Sequence, residues 1–242
     1  MILFPAIDIK GGKAVRLYQG RFDKCEEMGI PLEIAKEFEK TGAEFIHLVD
    51  LDGAKEGKRV NSDIIKAIAK TVNIPVQLGG GIRTLEDLEA IFDLGVSRAI
   101  IGTAAYKDKE FLIKAVEKYG EKIAVGVDAK DNKVALEGWL ESTNMDYIEF
   151  SRQLEKIGVK TVIYTDISKD GTLEGANIEG LKALSDAVNM DIVASGGVKD
   201  LEDLLKIKEL NLYGAISGKA IYSGSLDLKE ALDALKGWGY VN

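Results

Sequence analysis

The chain has 242 residues, 46% of them apolar and 30% charged, with a net charge of −8, one cysteine and one histidine. That apolar share is ample for a core, and three prolines without a low-complexity segment argue against disorder. The acidic balance disfavours nucleic acid and membrane as partners, and Cys25 and His47 alone leave a soft metal almost no ligands.

In chain order, apolar β-branched runs end at Asp8, Asp50, Gly79, Gly102, Asp128, Asp166, Ser195 and Gly218. They are short and nearly continuous, as strands buried on both faces should be. Helical spacing lies between them, as in Leu85/Leu88/Ile91/Phe92 and Leu201/Leu204/Leu205. Thr84 and Asp200 are suited to N-capping those two helices. Further helices are expected near Leu32–Thr41, Ser62–Thr71, Lys109–Tyr119, Tyr147–Ile157, Ile178–Val188 and Leu226–Lys236. Eight strand–helix units in a chain of this length predict an α/β fold, a closed (β/α)8 barrel (TIM barrel), over an open doubly wound sheet. No Ser/Pro-rich linker separates two lobes, so residues 1–242 are expected to form one domain. Met1–Pro5 lacks the basic start and long apolar core of a signal peptide, and no run is long enough to span a bilayer. A lone cysteine fits a reducing cytoplasm.

The sequence also repeats itself. Ile74–Tyr106 reappears as Met190–Tyr222 at a constant offset of 116, with thirteen identities in thirty-three positions. Among them are Gly80/Gly196, Gly81/Gly197, Gly102/Gly218 and the blocks Leu85–Leu88 and Leu201–Leu204. Ile7-Asp8-Ile9-Lys10 matches Val127-Asp128-Ala129-Lys130 at an offset of 120. This predicts two half-barrels, roughly 1–120 and 121–242, and a ligand with similar charged groups at both ends.

Barrels place chemistry at the C-terminal ends of their strands. Gly79-Gly80-Gly81-Ile82-Arg83 and Gly102-Thr103 follow the third and fourth runs. Ser195-Gly196-Gly197 and Gly218-Lys219 follow the seventh and eighth. Glycine lets backbone N–H groups approach an anion, and Arg83 can add a charge-assisted bond. One such turn is more often just a turn; four, paired by repeat, predict two phosphate sites. Asp8 and Asp128 end the first and fifth runs, opposite each other across a barrel, which suits paired acid–base catalysis. Each alone would as readily cap a loop or pair with a nearby lysine. Asp50 and Asp166 also match across the copies and read as structural, and His47, inside an apolar run, reads as a core residue. Trp139, in Gly138-Trp139-Leu140, has no counterpart in the first copy; it either stacks on a heterocycle or packs its loop. Thr165, with Asp170, Gly171 and Thr172, adds hydroxyl and carboxylate groups near Asp128. Trp238, close to the C-terminus, is expected to stand clear of the site.

Phe4-Pro5-Ala6-Ile7-Asp8, Gly79–Arg83, Gly138-Trp139, Thr165–Thr172 and Ser195-Gly196-Gly197 resemble the sugar isomerase of histidine biosynthesis, phosphoribosylformimino-aminoimidazole carboxamide ribotide isomerase. The likeness covers nearly the whole chain. It implies an Amadori rearrangement of a small bisphosphorylated aminoaldose to the aminoketose, without metal or organic cofactor. It further implies Asp8 as base, Asp128 as acid, Thr165 assisting, Asp170 able to share or take the acid role, and Trp139 stacking on substrate. Such an enzyme is expected to act as a monomer. One departure stands out: Phe22–Pro31 lacks the β-branched and aromatic run expected of the family's first loop and is about one residue short.

Three rivals are weighed against this. The cyclase built on the same duplicated barrel typically has Cys-x-Asp at the end of its first strand, where this chain has Ala6. A dual-substrate isomerase would carry arginine where Glu137 stands. A non-catalytic sugar-phosphate sensor would not need both Asp8 and Asp128.

Overall fold

A computed structural model describes residues 1–18, 21–56 and 60–236; Trp238 lies outside them. The strands are β1 (Ile2–Lys10), β2 (Lys13–Tyr18), β3 (Arg21–Gly29), β4 (Ile46–Asp50), β5 (Val76–Gly79), β6 (Arg98–Ile101), β7 (Ile123–Lys130), β8 (Lys133–Leu136), β9 (Glu141–Asp146), β10 (Thr161–Asp166), β11 (Asp191–Ser195) and β12 (Gly214–Ser217). Eight of them, β1, β4, β5, β6, β7, β10, β11 and β12, pair in parallel, each with the next. The pairing of β12 with β1 completes the ring, so the sheet is a closed barrel.

The helices cover this ring: α1 (Pro31–Thr41), α2 (Leu51–Glu56), α3 (Ser62–Thr71), α4 (Leu85–Asp93), α5 (Thr103–Lys107), α6 (Lys109–Tyr119), α7 (Tyr147–Ile157), α8 (Ile178–Ala187), α9 (Leu201–Glu209), α10 (Lys219–Ser223) and α11 (Leu228–Lys236). Three expected helices, α3, α6 and α7, have the bounds read from sequence. Thr84 caps α4 in a reciprocal capping box with Asp87, and the Asp200 carboxylate accepts the Asp203 N–H at the start of α9. Gly42 and Gly158 end α1 and α7 in left-handed geometry, which only glycine adopts without a Cβ penalty.

Alternate residues of each strand point inward or outward. The outward set, among it Ile7, Ile46, Leu48, Leu78, Ile101 and Val125, packs beneath the helices in one continuous core. The inward set, Phe4, Ala6, Ile100, Ala124, Ile163, Val193 and Ile216, fills the barrel. His47, Gln77 and Arg98 sit toward its N-terminal end. Gln77 accepts from the Arg98 guanidinium at 2.7 and 3.0 Å and meets His47 Nδ1 at 2.9 Å. The rings of Phe4, Phe45 and Tyr213 lie 4.9–5.6 Å from the same guanidinium. His47 is thus an interior residue; burial, with Arg98 and Arg16 adding, lowers its pKa to about 3.

The structure differs from the sequence expectation at two connections. The first and fifth strands do not stop at Asp8 and Asp128 but run on to Lys10 and Lys130. Each then folds back into an antiparallel hairpin, β1–β2–β3 and β7–β8–β9. Both turns are two residues long with positive φ throughout, Gly11 54° and Gly12 81°, Asp131 50° and Asn132 63°. That geometry matches strand twist, and Gly, Asp and Asn tolerate it best. Most of Phe22–Pro31, expected as a loop, is therefore strand β3.

Candidate active site

Asp8 and Asp128 sit on β1 and β7, strands one and five of the ring, both at its C-terminal mouth. Thr165 lies beside Asp128 in register on the neighbouring strand β10 and hydrogen-bonds it. The Trp139 indole N–H donates to Asp128 Oδ2 at 2.8 Å. Trp139 comes from the turn between β8 and β9, so the hairpin after the fifth strand is what brings it to the acid.

Sequence reasoning missed Arg16. It projects from β2, the first hairpin, and its guanidinium bridges Asp8 Oδ2 at 3.0 Å and Asp170 Oδ1 at 3.5 Å. The three side chains retain only 15%, 13% and 18% exposure, so solvent screens the bridge weakly. Gly218 makes room for it: a Cβ there would stand 2.9 Å from Arg16 Nη1. A lone arginine in the apolar run Ala14-Val15-Arg16-Leu17 was the available signal. Tyr222 was missed as well; its hydroxyl donates to the Ala6 carbonyl at 3.0 Å, two residues from Asp8.

All three aspartates have raised pKa values, but for different balances of cause. Burial raises Asp8 against the pull of Arg16, with the charge of Asp170 adding to the rise. Burial raises Asp170 against Arg16 and Lys219. Burial raises Asp128 too, opposed only by the neutral donors Trp139 and Thr165, and Asp170 adds to that rise. Asp128 is thus the one of the three without a cation acting on it.

The glycine turns have a packing role that sequence did not reveal. Gly80 and Gly81 both have positive φ, and a Cβ on either would collide with the backbone of Asp50 or Gly53. The same holds for Gly196 against Asp166 and Gly197 against Gly175. Asp50 accepts from the Gly53 N–H and from Asn61; Asp166 accepts from the Ser168 N–H and hydroxyl and from Asn177. These two aspartates organise the loops on which the glycine pairs rest, in line with a structural role. Gly102 differs, with no atom within 4 Å of its Cβ position, which leaves open space at the mouth.

The remaining expected site residues ring the same mouth. The Thr103 hydroxyl accepts the Glu137 N–H at 2.9 Å. Arg83 is exposed, 3.5 Å from the Ala54 carbonyl. Lys219, in α10, donates to the Gly171 carbonyl; the Thr172 hydroxyl donates to Lys169 O at 2.8 Å, closing the turn that carries Asp170. Ser195 ends β11 in register with Thr165. A cavity of about 670 Å³ beside β9 contains none of these residues, and Glu141, Asp146 and Glu149 in its lining suit an anion poorly.

A closed parallel barrel with half-buried carboxyls gathered at its C-terminal mouth has the architecture of a β/α-barrel enzyme. The chain belongs to the histidine biosynthesis protein family, whose model matches residues 2–227. A protein of Clostridium acetobutylicum is 54% identical over 237 residues, covering 98% of this chain and 99% of its own. One of Clostridium botulinum is 54% identical over 233 residues, with 96% of each chain covered. One of Clostridium kluyveri is 53% identical over 234 residues, 96% of this chain and 98% of its own. All three are named 1-(5-phosphoribosyl)-5-((5-phosphoribosylamino)methylideneamino)imidazole-4-carboxamide isomerase.

Proposed function

We infer that this chain is the isomerase of histidine biosynthesis that converts the bisphosphorylated aminoaldose to the aminoketose by an Amadori rearrangement. The observation that carries the acid–base assignment is the unequal setting of the two opposed aspartates. Asp8 lies against the Arg16 guanidinium, which favours its carboxylate and suits a base. Asp128 has burial without a cation, which favours the protonated form and suits an acid. In this reading Asp128 protonates the ring oxygen and the ring C–O bond opens. The amine lone pair forms the C=N bond as the ring opens, and Asp8 then removes the proton from the adjacent carbon to give an enolamine. That enolamine becomes the aminoketose by gaining a proton at the former anomeric carbon and losing its hydroxyl proton, while Thr165 orients Asp128. Asp170, with two cations acting on it, is the weaker candidate for the acid.

The two phosphates are assigned to the turns Gly80-Gly81-Arg83 with Gly102-Thr103, and Ser195-Gly196-Gly197 with Gly218-Lys219, Gly171 and Thr172 beside the latter. Anchoring both ends lets remote binding energy place the reacting carbons. Trp139 has no repeat partner and is assigned to the unsymmetrical part of the substrate, its heterocycle. The sequence repeat supports reading the barrel as one domain of two half-barrels, roughly 1–120 and 121–242. The biosynthetic relatives support a cytoplasmic setting.

The test is a direct isomerisation assay of the purified chain on the bisphosphorylated aminoaldose. Turnover is expected, with Asp8→Asn and Asp128→Asn each losing roughly 10²–10⁴-fold, the usual worth of a general acid or base. Near-parent turnover in Asp128→Asn transfers the acid role to Asp170. No turnover in the parent, with sugar phosphate still bound, favours a sensor.

A further inference from the structure

The turn that carries Trp139 is an unfavourable piece of backbone. Glu137, Gly138 and Trp139 have φ of 55°, 64° and 74° in succession, and two of the three are not glycine. Such conformations persist only where the surroundings hold them. Leu140, next in the turn, is 89% exposed and anchors nothing.

The β8–β9 ladder closes the turn at Leu136 and Glu141, and further bonds reach it from outside the hairpin, from α5. The Thr103 hydroxyl accepts the Glu137 N–H at 2.9 Å. Lys107 Nζ donates to Glu137 Oε1 at 2.6 Å and to Glu141 Oε2 at 2.8 Å. Those two carboxylates stand two residues before and two after Trp139, so a single ammonium grips both sides of the turn. Trp139 in turn donates to Asp128 at 2.8 Å.

We propose that Lys107 and Thr103 are positioning residues: from α5 they bracket the hairpin turn, and through Trp139 they hold the donor that faces Asp128. This rests on the assignment of Asp128 as the general acid. The groups facing Asp128 are Trp139 from the turn, Thr165 from β10 and the charged Asp170 from the connection after β10. With the bracket cut, the turn relaxes and the indole leaves. Asp128 then keeps Asp170, which favours its protonated form, and loses a donor that favours the charged one. An acid that holds its proton to higher pH moves the basic limb of kcat/KM, which reports the free enzyme, upward.

The experiment compares kcat/KM against pH for the parent, Lys107→Met, Lys107→Arg, Thr103→Val and Trp139→Phe. In a Trp238→Phe background, Trp139 emission is also recorded without substrate. Lys107→Met, Thr103→Val and Trp139→Phe are expected to move the basic limb upward, by about one to two pH units for loss of one bond to a charged group. Lys107→Arg keeps the parent profile, and Lys107→Met adds nothing to Trp139→Phe. The Lys107 pairs are exposed and screened by salt, so 1 M salt shifts parent emission toward that of Lys107→Met and leaves that variant unmoved. Bracket variants that lower the rate but keep the parent's limb and emission overturn the proposal. If Asp128→Asn itself keeps the basic limb, the acid assignment fails, and the bracket with it. If Asp128 carries the limb and the bracket variants do not move it, only the bracket fails.

Discussion

At the residue scale, the three half-buried aspartates couple catalysis to stability. A carboxyl whose folded pKa exceeds its unfolded value binds its proton more tightly when folded. Its contribution is full below the unfolded value, near 3.8, and is lost as pH rises through the folded one. Asp128, with no cation acting on it, therefore weakens the fold at neutral pH. Asp128→Asn is expected to raise the thermal midpoint at pH 7 by a few degrees, where about 1 kcal/mol corresponds to roughly 2–4 °C for a domain of this size. The gain should vanish by about pH 3.5, as differential scanning at the two pH values will show. Arg16→Met should do the reverse, since it leaves Asp8 and Asp170 facing each other uncompensated. It should lower the midpoint at pH 7 and move the acidic limb of kcat/KM upward, because the base then ionises later. Asp8 and Asp128 were legible in sequence because they sit at matching strand ends. Arg16 was not, because it joins the first barrel strand to the connection after the sixth, and periodicity says nothing of which strands and loops meet.

At the element scale, the barrel strands and long helices were readable from continuous apolar runs and from caps such as Thr84 and Asp200. The hairpins were not. β9 is Glu-Ser-Thr-Asn-Met-Asp and β3 is largely charged, so neither has the alternation that marks a half-buried strand. What forms them is continuation of β1 and β7 beyond the barrel, and their turns Gly11-Gly12 and Asp131-Asn132 were the only local signal. The glycine pairs were recognised, but for one reason of two. Gly196 has φ 88° and its Cβ would strike the Asp166 carbonyl, whereas Gly102, at φ −96°, has nothing near. Gly196→Ala is thus expected to cost at least about 1–2 kcal/mol from the left-handed backbone alone, visible as a lower urea midpoint. Gly102→Ala should leave that midpoint within about 0.5 kcal/mol of the parent. Its methyl should nonetheless weaken inorganic phosphate binding by calorimetry, since it fills the space given to the anion. A large stability loss in Gly102→Ala would mean that its open surroundings serve the fold and not a ligand.

At the scale of the whole molecule, the repeat makes a geometric demand. If both glycine-rich turns are anion sites, crystals grown with sulfate should show two anions at one mouth of the barrel. One should lie near Gly81 and Thr103, the other near Gly197 and Lys219. Anions at one side only, or at the end where Arg98 is boxed by Phe4, Phe45 and Tyr213, would break the inference from duplication to a doubly phosphorylated ligand. The two hairpins carry a separate liability. A closed barrel has no free edge, yet among the described residues β3 pairs only with β2 and β9 only with β8, so each hairpin presents an outer strand edge. Edges of that kind are templates on which a second molecule can add a strand. Glu26 and Glu27 on one edge and Glu141 on the other are exposed, with Lys13 paired to Glu27 and Lys107 to Glu141, and charged side chains of this kind discourage a second strand from docking. The charged hairpin edges thereby guard the mouth of the barrel against strand addition by a second molecule.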